Sequence, residues 1–333
     1  MRFTLEDISI EGCIVPLKSA RSISRETSVS ARMIRVTAKS HGRTGRGEAC
    51  PMPRYGESVD DAIADFQGLR EVLRAVGSRQ ELQERLAAGA LRNAVDVALW
   101  DLEAKLTGRS AEARLGLEPR PVTTVYTVSL DAPEAMAIEA GRENYRPVLK
   151  IKLGHFEGDE ARLRAIRAAA PDCALVVDAN EGWTIDQLKA IAPVAASLGV
   201  RLIEQPLHAD NDAVLADYDC PLPLCADESC HTRASLPGLS DRYDMINIKL
   251  DKTGGLTEAM DLAAAARAAG LDLMVGCTSA TTLAIAPAFL VAQACTVCDL
   301  DAPLYNANAE AAEIAYDGSQ VDFAATRTWG LPA

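Results

Sequence analysis

Short apolar runs in this chain end, one after another, in charge. The run at 148–153 carries Lys150 and Lys152, the run at 175–180 ends in Asp178-Ala179-Asn180, and the run at 201–205 ends in Glu204-Gln205. The next two end in Asp227-Glu228 and in Lys249, and the last closes with Asp299-Leu300-Asp301. A single lysine pair at a strand end is ordinarily a solvated edge, and a single aspartate there is often a helix N-cap. Repetition changes the reading. Apolar runs that close in charge at the same relative point, strand after strand, have no packing rationale, because an unpaired charge is costly to bury.

Asp178, Glu204 and Asp227 are hard oxygen donors. Gathered in one place they repel one another unless a cation lies between them. Oxygen-only ligation with room for water suits Mg2+, with Mn2+ as a substitute. Lys150 and Lys152 are two residues apart, so on a strand they point to the same side. Their mutual repulsion, together with a metal, is expected to lower at least one lysine pKa, and a lysine brought toward neutrality accepts a proton. Lys249 lies four runs further on, which places it across the mouth of a closed sheet. Two bases on opposite faces of one carbon, with a metal between, describe a 1,1-proton transfer beside a carboxylate. The metal's charge would offset that of the enolate.

These side chains meet only if the runs are parallel neighbours. Apolar runs recur at 123–129, 148–153, 175–180, 201–205, 222–227, 245–250, 273–277 and 296–301, with amphipathic stretches such as 159–170, 185–198 and 256–269 between them. This alternation predicts an α/β fold with a closed parallel barrel, which collects its strand C-termini and its active site at one face. The alternative, a doubly wound open sheet, would carry a Gly-x-Gly-x-x-Gly turn after its first strand, and none is present. The first 110 residues differ. They read as strands at 3–16 and 31–38, loops at 18–30 and 51–56, and two or three helices, a separate α+β unit. The clearest helix, 90–106, has Ala94, Val97, Ala98 and Leu102 on one face and Gly108 beyond its end.

Composition narrows the partners. Apolar residues make up 48% of 333, enough for a sizeable core, and the net charge of −13 argues against nucleic acid or an anionic membrane. No apolar run reaches membrane-spanning length, and the acid-bearing start of the chain lacks a secretory apolar segment, so a soluble cytoplasmic protein is expected. The nine cysteines are scattered and odd in number, unlike a disulfide framework. Cys295 and Cys298 lie three apart in a strand-like run and face opposite sides, so they read as buried thiols rather than a zinc or redox pair. None of the histidines, His41, His155, His208 and His231, ends a barrel strand, which disfavours a histidine base.

At these residues the chain resembles the enolase superfamily, in its muconate-lactonizing subgroup, and within it the dipeptide epimerases. The likeness spans essentially the whole chain. It is carried by Pro53-Arg54-Tyr55-Gly56-Glu57-Ser58, by Val177-Asp178-Ala179-Asn180-Glu181, by the segment 225–233 and by Asn247-Ile248-Lys249-Leu250-Asp251-Lys252-Thr253-Gly254-Gly255 with the three residues after it. The resemblance implies a modified TIM barrel, (β/α)7β, over 116–304, and an α+β capping domain over 1–115 that the segment 305–333 completes. It implies Asp178, Glu204 and Asp227 as ligands of one Mg2+ per subunit, Lys152 and Lys249 as the acid/base pair, and Lys150 at the substrate carboxylate. Asp299 and Asp301 would take a free α-ammonium group and Arg25 a glutamate side chain, with Thr127, Cys277 and Ser279 lining the substrate.

The implied activity is epimerisation of the C-terminal residue of L-Ala-D/L-Glu, in the recycling of murein peptide. The partner is then a small dipeptide, with no nucleic acid, no membrane and the oligomeric state open. The alternatives are another dipeptide, or another muconate-type reaction such as cycloisomerisation or succinylbenzoate synthesis. Cycloisomerases have no ammonium group for Asp299 and Asp301 to hold, and a barrel that only binds has no need of bases on two faces. Three departures from the pattern bear on the preferred side chain. The run 278–282 replaces a Met and an acidic residue found in many relatives, Ala302 replaces a Gly, and the loop 18–25 is unusually polar, with Arg21 placed to compete with Arg25.

Overall fold

Three antiparallel strands open the chain, β1 (Asp7–Ser22), β2 (Thr27–Ser40) and β3 (Arg43–Ala49), in that order across the sheet. The computed structural model describes residues 2, 4–308 and 312–333, so Phe3, the expected start of the first strand, lies outside it. Residues 18–30, expected as a loop, are mostly strand. Pairing resumes beyond Pro16 with Arg21 opposite Ser28 and Ser22 opposite Thr27, whose hydroxyls bond at 2.8 Å. No residue from 16 to 30 is buried, so this end of the hairpin carries none of the apolar alternation by which a strand is recognised.

Four helices follow, α1 (Val59–Arg74), α2 (Arg79–Arg85), α3 (Ala90–Thr107) and α4 (Ala111–Leu115). Helix α3 starts where the periodicity predicts, and Gly108 ends it at φ 68° with its N–H on Ala104 O. Strand β3 was not legible, because it is glycine-rich where a strand is expected to be β-branched. Those glycines answer to α3. A Cβ on Gly45 would lie 2.1 Å from Ala98 O, and one on Gly47 would lie 2.1 Å from Ala94 O. The helix therefore rests directly on the strand backbone. Its residues from Arg92 to Ala104 are all buried. Ala94, Ala98 and Leu102 pack into the first domain's core, and Val97 and Trp100 into the second's.

Past a short β4 (Val122–Thr123), eight strands lie in chain order in one parallel sheet. They are β5 (Tyr126–Val128), β6 (Val148–Lys152), β7 (Ala174–Asp178), β8 (Val200–Glu204), β9 (Leu224–Ala226), β10 (Met245–Ile248), β11 (Asp272–Gly276) and β12 (Val297–Asp299). Each overlaps one of the eight expected runs. The sheet closes where Thr124 bridges Cys298 in parallel and Val125 N–H donates to Cys298 O at 2.9 Å. Helices α5 (Pro133–Arg142), α6 (Phe156–Ala169), α7 (Ile185–Ser197), α8 (Leu250–Thr253), α9 (Leu256–Ala268) and α10 (Thr282–Ala292) wrap it. The connections on either side of β9 carry only 3-10 segments.

The last strands, β13 (Ile314–Asp317) and β14 (Gln320–Phe323), form a small sheet with β4. Ile314, Val321 and Trp329 join the barrel core. Trp329 Nε1 donates to Val97 O at 3.3 Å and Gly330 N–H to Asp101 Oδ1 at 2.8 Å, which ties this segment to α3. No disulfide forms among the described residues, and Cys295 Sγ donates to Val291 O at 3.4 Å. Among the described residues no helix is long and apolar enough to cross a membrane.

Candidate active site

Closure of the sheet gathers the charged strand ends. Lys150 sits on β6, Asp178 ends β7, Glu204 ends β8 and Asp227 follows β9, and none of the four is more than 2% exposed. The register sets Lys152 beside Asp178 and Asp178 beside Glu204. Lys152 Nζ donates to Asp178 Oδ2 at 2.6 Å and to Asn180 Oδ1 at 3.1 Å. Lys249, directly after β10, donates to Asp227 Oδ2 at 2.5 Å. The two lysines therefore bracket the carboxylates, one at the β7 end and one at the β9 end, with Glu204 between. Lys150 Nζ lies deeper, 2.6 Å from both Asp299 Oδ2 and Glu204 Oε2 and 3.0 Å from Asp178 Oδ2.

Burial alone would push the Lys150 ammonium down, but Asp178, Asp299 and Glu204 outweigh it and hold the group well above the usual lysine range. Lys249 is held high in the same way by Asp227 and Glu204, against burial and the Lys150 charge. The Lys150 charge, which lowers the Lys249 pKa, is thus outweighed there. The adjacent carboxylates dominate. Burial is also outweighed at two of the carboxylates: the lysines hold Asp178 and Asp227 well below the ordinary range.

Glu204 behaves differently. Burial and the Asp178 charge push its carboxyl up to about 7. Its Oε2 is an ion-pair neighbour of Lys150, yet among the described residues no donor is aligned with it for a hydrogen bond. Asn247 Nδ2 donates to Glu204 Oε1 at 2.7 Å, and Asn247 Oδ1 is itself buried without a hydrogen-bond partner among the described residues. Three hard carboxylates on consecutive strands, one driven toward protonation and short of donors, fit a small divalent cation such as Mg2+.

Several supporting groups escaped the sequence reading. Lys252 Nζ, buried, donates to Asp227 Oδ1 at 2.6 Å and to Asn247 O at 3.0 Å. Gln205 Oε1 accepts the Asp227 and Ser229 N–H groups at 2.9 and 3.1 Å, while its Nε2 donates to Leu207 O and Ser229 Oγ, both at 2.8 Å. It ties the end of β8 to the end of β9. Asn180, Glu181 and Gln205 adopt φ of 43°, 66° and 34°, a strained backbone concentrated at the barrel mouth. The polar residues close behind the charged strand ends, Asn180 two after Asp178 and Gln205 directly after Glu204, were the available signal.

Above the carboxylates a cavity of about 340 Å3 opens between the barrel mouth and the β1–β2 hairpin. Lys152, Lys249, Arg25, Thr127, Cys277, Ser279, Asp299 and Asp301 all line it, so of the residues expected around substrate only Lys150 lies beneath its wall. One ligand atom each from Cys277, Asp299 and Asp301 lies within 4.8 Å of the others. Asp301 Oδ2 accepts Thr127 N–H and the Tyr305 hydroxyl, both at 2.7 Å. Burial and the Asp299 charge push the Asp301 carboxyl up to about 6. Arg25 donates to Glu228 Oε1 at 2.8 Å and Asn180 O at 3.1 Å, on the β7–β9 side. Arg21 is committed to the opposite side, pairing with Glu139 at 3.0 Å and covering the Tyr305 ring at 3.8 Å. The two arginines therefore serve different ends of the cavity and do not compete.

A closed parallel barrel with acids between two lysines, under a strand-and-helix cap, defines a class of α/β-barrel enzyme built for acid/base work at its mouth. Residues 134–322 match the model of the family described as enolase C-terminal domain-like. The chain is 44% identical over 293 residues to the L-Ala-D/L-Glu epimerase of Escherichia coli, covering 87% of this chain and 91% of that one. It is 40% identical over 289 residues to an N-acetyl-D-glutamate racemase of Pseudoalteromonas, covering 86% and 91%. An enolase-family structure from Agrobacterium tumefaciens, described as having homology to dipeptide epimerases and as holding sodium and L-Ala-L-Glu, is 46% identical with a TM-score of 0.93, covering 97% of this chain and 99% of that one. A dipeptide epimerase structure from Methylococcus capsulatus, complexed with Mg and L-Arg-D-Lys, is 30% identical with a TM-score of 0.87, covering 100% and 99%. The chain belongs to the enolase superfamily, among its dipeptide epimerases.

Proposed function

We propose that this enzyme is an isomerase that inverts the α-carbon of the C-terminal residue of L-Ala-D/L-Glu, using one Mg2+ (or Mn2+) and two lysine bases. The observation that carries the reading is the placement of Lys152 and Lys249 at opposite ends of the carboxylate group, both facing the same cavity. Asp178, Glu204 and Asp227 would hold the Mg2+, whose positive charge would offset that of the substrate carboxylate and so acidify the neighbouring C–H. Lys150, held as an ammonium, adds charge from beneath. One lysine of the pair takes the α-proton from its face. The other delivers a proton to the opposite face, and reversal of these roles gives the reverse reaction. Lys249, held as an ammonium by Asp227, has a proton to give.

The substrate's ends follow from charge. Asp299 and Asp301 on the cavity wall suit a free α-ammonium group, and Arg25 suits an acidic side chain, for which it must leave Glu228. The N-acyl nitrogen of an acetylated glutamate carries no positive charge to set against the two aspartates, which favours a dipeptide. With the capping unit taken as 1–115 plus 305–333 and the barrel as 116–304, the cap supplies Arg25 and the barrel the bases. The reading carries with it a place in cytoplasmic recycling of murein peptides.

Asp301→Asn tests the ammonium assignment. Loss of a charged hydrogen bond costs about 1.5–3 kcal/mol, roughly a 10- to 150-fold drop in kcat/KM for L-Ala-L-Glu. An N-acetylated glutamate, measured alongside, should change little. The wild-type KM for dipeptide should also rise as pH falls through about 6, where Asp301 takes up a proton and loses its charge. Equal effects of the substitution on both substrates would contradict the assignment.

A further inference from the structure

Two residues beyond Lys249, the side chain of Asp251 joins three separate elements. Helix α8 begins directly after Lys249, which occupies its N-cap position. From the first turn of α8, Asp251 Oδ1 accepts Cys50 N–H, just past the end of β3, at 3.1 Å and Asn93 Nδ2, from α3, at 2.8 Å. Its Oδ2 accepts the Thr278 hydroxyl from the loop after β11. Two of these donors belong to the capping domain and one to the barrel mouth. The proton-transfer chemistry makes no use of any of them.

The same few residues also confine Lys249 itself. Gly276, the last residue of β11, packs against the lysine stem: a Cβ there would lie 2.9 Å from Lys249 Cε and 2.6 Å from Asn247 Oδ1. Thr278, which reaches Asp251, is two residues further along. The turn that carries Lys249, the end of β11 and the cap are therefore one hydrogen-bonded unit. Lys152 is supported differently, by Asp178 and Asn180 at the end of β7, where the cap reaches the Asn180 carbonyl through Ser24 at 2.9 Å and Arg25 at 3.1 Å and Asp251 has no part.

We propose that Asp251 is a positioning residue that couples the seating of the capping domain to Lys249, so that its loss disturbs proton transfer on the Lys249 face of the substrate. The proposal rests on the two-base reading above. It is tested by following deuterium wash-in from D2O at the α-carbon, starting separately from L-Ala-L-Glu and L-Ala-D-Glu, with Mg2+ present. Lys152→Ala and Lys249→Ala first assign each epimer to its lysine. Asp251→Asn should then slow wash-in about 10- to 100-fold from the epimer served by Lys249, as expected for displacement of a reacting group by about 1 Å, and less than about threefold from the other. Thr278→Val, which removes one donor while keeping the side chain's shape, should shift the ratio in the same direction and decides the matter should Asp251→Asn fail to fold. An equal loss from both epimers, or none, overturns the proposal and leaves the two-base reading standing. If the lysine variants fail to separate the epimers, that reading falls and the proposal with it.

Discussion

Lys152→Ala and Lys249→Ala should each bring net epimerisation to a halt, with kcat down by about 10²–10⁴, the usual contribution of a positioned acid or base. Each variant keeps one base. It should therefore still exchange the α-proton of one epimer with solvent deuterium, and the two variants should retain opposite epimers. The geometry makes this separable from unfolding. Removing the Lys152 ammonium leaves Asp178 paired with Lys150 at 3.0 Å. Removing that of Lys249 leaves Asp227 with Lys252 at 2.6 Å. In neither case is a buried carboxylate abandoned, so thermal unfolding should shift modestly while turnover collapses. Near-wild-type epimerisation in either variant would reject the scheme.

Treatment with a chelator should abolish activity, and added Mg2+ should restore it. The acids of the site explain the dependence. Glu204 lies among other carboxylates, and burial together with Asp178 pushes it up to about 7. Below that pH it carries a proton that must leave before the oxygen can serve as a ligand, and metal binding releases protons in such cases. The Mg2+ concentration for half-maximal restoration should therefore rise as pH falls below about 7, approaching tenfold per unit. Above it, the requirement should flatten. Full activity in excess chelator would remove the metal from the account, whereas a pH-independent requirement would remove only Glu204's part in it.

What the sequence disclosed and what it hid divide along physical lines. Barrel strands were legible because parallel strands buried on both faces are written as apolar runs, and the charges that end them stand out for the same reason. Strand β3 was hidden because its glycines serve the close approach of α3, a demand set by a partner 50 residues away. The hairpin end at 18–30 was hidden because a strand with no buried face has no alternation to read. Strand count alone could set the Lys150/Lys152 pair across the barrel from Lys249, whereas the choice of Lys152 came from the family resemblance. Lys252, Gln205 and Asp251 could not be placed in this way, because their roles come from turns whose path only the folded backbone sets. The carboxylates that neighbouring strands bring within 3 Å of Lys150 hold its ammonium high, a balance that repulsion between lysines alone does not give.

The most direct test is a crystal structure with Mg2+ and L-Ala-L-Glu bound. Nζ of Lys152 and Nζ of Lys249 should stand on opposite faces of the inverting α-carbon, each about 3–3.5 Å from it. Both amines on one face, or either one out of reach of that carbon, would contradict the mechanism.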